Sequence, residues 1–504
     1  MRVQLVLPDM GVGYTMNHGV TSVAAVVKRR GDECSLIHID SEFTVDRLVG
    51  EIERWRPDVV GVCLTENHWL QMQALARGLK NRRNVPVFFG GPFPSAYPEG
   101  LVECEAVDGF CIGEGDVSFV EVLNRIDAGQ DYHETTGFWF RVGGDTVKNE
   151  RPPVVDNLDD LPLPHIRIHD MRAVKNYPAF SFSRGCPFKC TYCCAPLYQK
   201  WENGATVRYK SPARAIMEIK DLLELYDAPS LNFDDDTFFK SKKWLREFLD
   251  LYIREIRKPF ACNTRPETVG DEIVSMLKEA NCEYIFLGIE SGDEQLREKV
   301  LGRGRTLTNK RTIEAFETIR RYGIRTFSFN MVGMPGETPE MHQRTIELNR
   351  RILPDRLQMT VFYPYRGTGL GDEAYRRGIV AGEGYPTYFG RTILSMPEFT
   401  KRQVERASRL FRYRVYKDVD LRKALYFYVL DGLMRYPLLF NTIFRLYRLV
   451  AGSRFAISRL FIRPRRVEAD TTLWPTRRAG ELGPDPVEDV SFAKFQGRSP
   501  GQAG

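Results

Sequence analysis

Cys186, Cys190 and Cys193 stand in the run Ser183-Arg184-Gly185-Cys186-Pro187-Phe188-Lys189-Cys190-Thr191-Tyr192-Cys193, and they constrain this chain more than anything else in it. Spaced C-x3-C-x2-C, they put three thiolates on one short loop. Such a loop can hold three irons of a cubane cluster and leave the fourth iron open to a substrate or cofactor. A fourth cysteine would close that position and leave an electron carrier. The spacing also differs from the paired C-x2-C groups of structural zinc. A zinc loop or chance clustering is the bland alternative.

Around this loop, short apolar runs alternate with helical stretches in two blocks. In the first, residues 1–135, Val3 to Leu7, Ser35 to Ile39, Val59 to Leu64, Val85 to Phe89 and Val107 to Ile112 read as strands. The order β-α-β predicts a doubly wound parallel sheet, flavodoxin- or Rossmann-like, with ligands at the carboxyl ends of its strands. Three of those ends carry Thr65-Glu66-Asn67, Gly90-Gly91-Pro92 and Gly113-Glu114-Gly115, where glycine lets the backbone approach a large ligand. Residues 136–175 read as a hairpin followed by a proline-stiffened linker. The second block, residues 176–370, repeats strand and helix from Ala179 to Phe362 and predicts a partial (β/α)6 barrel, with the cysteine loop after its first strand.

The cysteine loop resembles the signature of the radical S-adenosylmethionine (SAM) enzymes, with Tyr192 completing C-x3-C-x-aromatic-C. Preceded by the first block, the chain resembles the subfamily that carries a cobalamin-binding domain. The resemblance implies a [4Fe-4S] cluster on the three cysteines, whose open iron chelates the amino and carboxylate groups of SAM. It implies that Asp235 and Asp236, in the run Asp234-Asp235-Asp236-Thr237, accept hydrogen bonds from the SAM ammonium. Binding of a divalent metal is the alternative use of the three aspartates. By the same resemblance Arg265 pairs with the SAM carboxylate, Glu290 accepts the ribose hydroxyls, and Ser291 bonds the carboxylate. Gly333, Pro335 and Gly336 would form the backbone patch beneath the adenine. For cobalamin the implied contacts are Thr65, Glu66, Gly90, Gly91, Gly113, Glu114 and Gly115. The Asp-x-His-x-x-Gly motif of many cobalamin proteins is absent, so no histidine is expected below the cobalt; His18, His38 and His68 occur in other contexts.

Such an enzyme uses the 5′-deoxyadenosyl radical to remove a hydrogen atom from an unactivated carbon and delivers a methyl group from methylcobalamin. The expected substrate is a small molecule, a lipid or a secondary metabolite. An external electron donor such as flavodoxin or ferredoxin is implied. A cobalamin-dependent cyclase, rearrangement or oxidation enzyme is the enzymatic alternative, and a cobalamin or iron–sulfur sensor the non-enzymatic one.

The net charge of +6 is mild for 504 residues and does not point to nucleic acid. Ten cysteines without an export signal suit a reducing cytoplasm, and no apolar run is long enough to span a membrane. Cys194 and the six remaining cysteines read as structural. Residues 371–466 carry helical signals, with a helix cap before Lys401. From Leu421 to Arg466 aromatics and arginines interleave, and Asp431 is the only acid. This stretch suits a helical cap over the barrel, peripheral contact with an anionic membrane, or nucleic acid. Residues 467–504 are polar and rich in glycine and proline, and are expected to be a disordered tail.

Overall fold

The computed structural model describes residues 1–8, 16–39, 44–170, 178–201, 207–239, 241–382 and 391–433. In the first domain, β1 (Arg2–Pro8), β2 (Glu33–Ile39), β3 (Val59–Cys63), β4 (Val87–Gly90) and β5 (Gly109–Cys111) pair in parallel. The order β2-β1-β3-β4-β5 is that of flavodoxin-like sheets, with its switch point at β1 and β3. Val3 sits opposite both Cys34 and Val59, so β1 is central and Val3, Leu5, Val6 and Leu7 are buried. Helices cover both faces, each turning buried apolar residues to the sheet. His18–Arg29 begins with the Asn17 side chain accepting from Val20 N at 2.9 Å and ends on Lys28 and Arg29.

The hairpin expected in the linker instead enlarges this sheet. β6 (Phe138–Val142) and β7 (Asp145–Lys148) extend it antiparallel from β5, giving seven strands. Packing explains the attachment: Phe138 and Phe140 are fully buried against Phe88, and Gly109 of β5 leaves the space that the Phe140 ring fills.

In the second domain β8 (Ala179–Phe180) is followed by a two-stranded antiparallel ribbon, β9 (Ser183–Arg184) with β10 (Arg208–Tyr209). β11 (Leu231–Phe233), β12 (Phe260–Thr264), β13 (Cys282–Glu290), β14 (Arg325–Val332) and β15 (Arg356–Val361) then join β8 in one parallel sheet, ordered β15-β14-β13-β12-β11-β8. This is the partial barrel. Its early strands close on an aromatic core of Phe182, Phe233, Phe238, Trp244, Phe248 and Phe260, in which Trp244 and Phe248 stack at 5.0 Å. Each such ring contributes roughly 1.5–3 kcal/mol by leaving water.

The helix Lys401–Tyr416 packs Val404, Phe411 and Val415 into one apolar cluster with Val332, Met359 and Val361 of β14 and β15. It covers the late strands, and Asp431 on the helix Leu421–Leu433 is held by Arg412. Leu421, Leu425, Tyr428 and Val429 remain exposed. The rest of the aromatic and arginine stretch, and the tail, lie outside the described residues. Among the described residues no helix is long and apolar enough to cross a membrane.

Candidate functional site

Between the carboxyl ends of the first sheet and the mouth of the barrel lies a cavity of about 490 Å³. Gly90, Gly91 and Gly113 line it from one domain, and Gly185, Ala195 and Asp236 from the other. The cysteine loop leaves β9 beside this cavity. Cys186 and Cys190 are buried and Cys193 is half-buried.

Backbone bonds hold the loop from several sides. Thr191 N donates to Leu301 O at 3.1 Å, Thr191 Oγ1 to Val300 O at 2.6 Å, and Leu370 N to Thr191 O at 2.8 Å. Gln199 Nε2 donates to Cys186 O and, at 3.2 Å, to Phe188 O. Arg265 lies 3.7 Å over the Phe188 ring and donates from Nη1 to Cys190 Sγ at 3.3 Å. Burial pushes the Cys190 thiol up, whereas Arg303 and Arg265 pull it down. A cation beside a sulfur is what a thiolate ligand needs. Cys194, beside Cys193, is half-buried. Among the described residues no three histidine, cysteine or acidic side chains converge as ligands of a single ion. A cubane allows this spread, because each thiolate binds a different iron.

The expected SAM contacts divide into two groups. Asp235 is engaged inside the barrel, where it accepts from Phe182 N at 3.2 Å and from the Ser183 hydroxyl. Asp236 is exposed and, like Asp234, lines the cavity. Arg265 is turned toward Cys190, Glu267 and the carbonyl of Arg303. Ser291 is fully buried, with Oγ accepting from Asp293 N at 3.1 Å. Glu290 ends β13 in the left-handed region at φ 66°, a conformation that costs about 1–3 kcal/mol for a side-chain residue. Gly333 has φ 82°, and its N–H donates to the buried carboxylate of Glu337 at 2.6 Å. Pro335 is buried, while Gly336, at φ 80°, has open space where a Cβ would stand.

Sequence reasoning passed over Arg303. Its buried guanidinium donates to Glu290 Oε1 at 3.0 Å, to Tyr192 OH at 3.2 Å and to Gly288 O at 2.8 Å. Burial raises the Glu290 carboxyl, and Arg303 and Tyr192 offset part of that rise. Arg303 thus ties the expected ribose contact to the aromatic residue of the cysteine loop. The only sequence signal was a basic residue in the glycine-flanked run Gly302-Arg303-Gly304 after β13. Nε of both Arg265 and Arg303 is buried without a hydrogen-bond partner among the described residues, so this side of the loop retains capacity for an acceptor.

On the first domain Gly91, at φ 97°, would place a Cβ 3.1 Å from Cys63 Sγ and from Leu64 N, so only glycine fits. Gly113, at φ 93°, meets nothing within 4 Å in that direction. Gly90, Gly91, Gly113, Glu114 and Gly115 come together along the cavity as a glycine-rich cradle. Thr65 and Glu66 do not line it. Thr65 Oγ1 bonds His68 Nδ1 at 3.0 Å, and Glu66 reaches into the second domain. His18 does line the cavity, with Nε2 3.6 Å from Asp234 Oδ2 across the domain boundary.

The chain matches two family models: the B12 binding domain over residues 12–123 and the Radical SAM superfamily over residues 180–348. It is 26% identical to an uncharacterized methyltransferase of Pyrococcus horikoshii, over 81% of this chain and 91% of that protein. It is 27% identical to the hopanoid C-3 methylase of Methylococcus capsulatus, over 69% of this chain and 67% of that one. An anaerobic magnesium-protoporphyrin IX monomethyl ester cyclase of Rubrivivax gelatinosus is 22% identical, over 68% and 64%. The fold is similar to that of the radical SAM methyltransferase TsrM of Kitasatospora setae, solved with cobalamin and a [4Fe-4S] cluster bound. The TM-score is 0.63 at 18% identity, covering 81% of this chain and 84% of that one.

Proposed function

We propose that this chain, which carries a B12 binding domain and a Radical SAM superfamily domain, is a cobalamin-dependent radical SAM methyltransferase that transfers a methyl group to an unactivated carbon of a small-molecule or lipid substrate. One observation carries this reading: the glycine turns of the first domain and the residues flanking the cysteine loop, Gly185 before it and Ala195 after it, line the same cavity. When bound there, the cluster and SAM supply a hydrogen-abstracting 5′-deoxyadenosyl radical, and cobalamin supplies a transferable methyl group.

The chain's own residues hold, orient and seclude. Cys186, Cys190 and Cys193 hold the cluster, and Arg265 keeps positive charge against Cys190. Asp236 is our choice to receive the SAM ammonium: it lines the cavity, Asp235 is engaged inside the barrel, and Asp234, which also lines the cavity, lies 3.6 Å from His18. Arg303 sets the Glu290 carboxylate for the ribose. Gly90, Gly91, Gly113 and Gly115 cradle the corrin, and the apolar lining, including Leu5, Val6 and Phe89, keeps water from a radical. Methyl transfer is favoured over cyclisation because relatives named as methyltransferases or methylases include the protein covered along 91% of its length. The hopanoid methylase among them makes a polycyclic lipid the first substrate class to try. We place the reaction in the cytoplasm, fed by an external donor such as flavodoxin or ferredoxin.

The test is abortive cleavage of SAM by the reduced, reconstituted protein without substrate. 5′-Deoxyadenosine should form with Asp235→Asn or with the unaltered chain, and should fall at least tenfold with Asp236→Ala and vanish with Cys193→Ala. Undiminished cleavage by Cys193→Ala would remove the cluster assignment and the function with it.

A further inference from the structure

Four charged side chains cross the domain boundary beside the cavity. The turn after β5 contributes Glu114 and Asp116, on either side of Gly115. The ribbon β9–β10 contributes Arg184 and Arg208, which pair directly across it. Arg184 Nη1 donates to Asp116 Oδ2 at 2.7 Å, and Nη2 donates to Oδ1 at 3.1 Å, a two-pronged grip. Nη2 also reaches Ser22 Oγ at 3.0 Å, and Nη1 lies 3.2 Å from Glu114 Oε2. Arg208 donates to Glu114 Oε1 at 2.6 Å and to Val155 O at 2.6 Å. Asp116 is only 5% exposed and Arg208 only 7%.

Their place in the chain gives this network its meaning. Gly113, Glu114 and Gly115 border the cavity as part of the cradle. Arg184 stands two residues before Cys186, at the entry to the cysteine loop. The loops proposed to hold the two cofactors are therefore joined through one set of charges, Asp116 and Arg208 buried and Arg184 and Glu114 half-buried. A second attachment lies elsewhere on the boundary. Glu66 Oε2 accepts from Arg366 N at 2.7 Å and Oε1 from Tyr375 OH at 3.2 Å. Beside it, a Cβ on Gly367 would come 2.2 Å from Ala96 O, so the two backbones touch. Two separated attachments stop the domains from pivoting as one attachment would not.

We infer that Arg184, Arg208, Glu114 and Asp116 form a clasp that sets the position of the cobalamin site relative to the cluster. They are positioning residues and do not touch the reacting atoms. A buried ion pair adds little net stability once its desolvation is counted, but a guanidinium fork on a carboxylate fixes distance and angle. Transfer between two cofactors depends on such fixing, and a displacement of about 1 Å can cost roughly 10²-fold in rate.

This inference rests on both cofactors being bound as proposed, and the test separates the two. Full-length protein is reconstituted anaerobically, and its iron and cobalt are counted first. The dipolar interaction between the spin of cob(II)alamin and that of the reduced cluster then reports the distance between them. Arg184→Lys keeps the charge and loses the fork. The pair Asp116→Leu with Arg184→Met removes both charges together and leaves Glu114 with Arg208, so one of the two designs folds without an orphaned charge. The unaltered protein should give one narrow distance. In fully loaded variants that distance should broaden or move by about 1 Å, with methyl transfer per SAM cleaved falling about 10²-fold. An unchanged narrow distance at full iron and cobalt loading would overturn the clasp. Failure of the cofactor reading would show earlier, as missing cobalt in the unaltered protein.

Discussion

Arg303 shows how much of the site depends on single buried charges. It sits among Glu290, Tyr192 and the Gly288 carbonyl. Removing it leaves the Glu290 carboxylate buried without its cation, a change that costs about 3–5 kcal/mol. Arg303→Met should therefore lower the urea-unfolding free energy by about that much, and adding Glu290→Gln should restore most of it. Full stability in Arg303→Met alone would show that the pair is not coupled. At this scale the sequence was legible where chemistry dictates spacing and illegible where faces alternate. The three cysteines were found because a cluster needs them close along the chain. Asp235 and Asp236 were both plausible, and only the backbone shows one turned into the barrel and the other to the cavity. Arg303 was invisible because it joins the end of the preceding strand to a loop residue, Tyr192, that is far away in sequence.

Among the elements, the helix Lys401–Tyr416 reaches the loop expected to carry the adenine. A Cβ on Gly333 would lie 2.7 Å from Val404 Cγ1, and its φ of 82° disfavours any side chain. Gly333→Ala should cost about 1–3 kcal/mol from the backbone, with the clash added. Combining it with Val404→Ala should return the clash portion only. Thermal unfolding of the single and double variants reads this, and complete rescue would refute the backbone share. Phe411→Ala, in the buried face of the same helix, should cost about 3–5 kcal/mol. The parallel strands and their helices were readable because each is a local apolar pattern. The joining of β6 and β7 to the first sheet was not, since it depends on Gly109 admitting Phe140 across a long separation. The cap at Thr400 was readable, and its backbone N–H donates to Gln403 Oε1 at 2.9 Å.

For the molecule as a whole, the burial of Glu66 at the domain boundary predicts a pH-dependent stability. Burial raises its carboxyl to about 7, against the opposing pull of Arg366 and Tyr375. In the unfolded chain it titrates near about 4.3. Between those values the folded protein holds a proton that the unfolded chain has lost, so this contribution is complete below about pH 4.3 and is lost as pH rises through 7. The melting temperature of the apoprotein should fall more from pH 5 to 8 than that of Glu66→Gln, and equal slopes would contradict the prediction. Methyl transfer is tested most directly by anaerobic turnover with methyl-labelled SAM, cobalamin, a strong reductant and a pool of polycyclic lipids as acceptors. 5′-Deoxyadenosine and S-adenosylhomocysteine should form together, both lost without cobalamin, with the labelled methyl group on a lipid carbon. Deoxyadenosine formed by cobalt-loaded protein, with no S-adenosylhomocysteine and no label transferred to any acceptor, would contradict it.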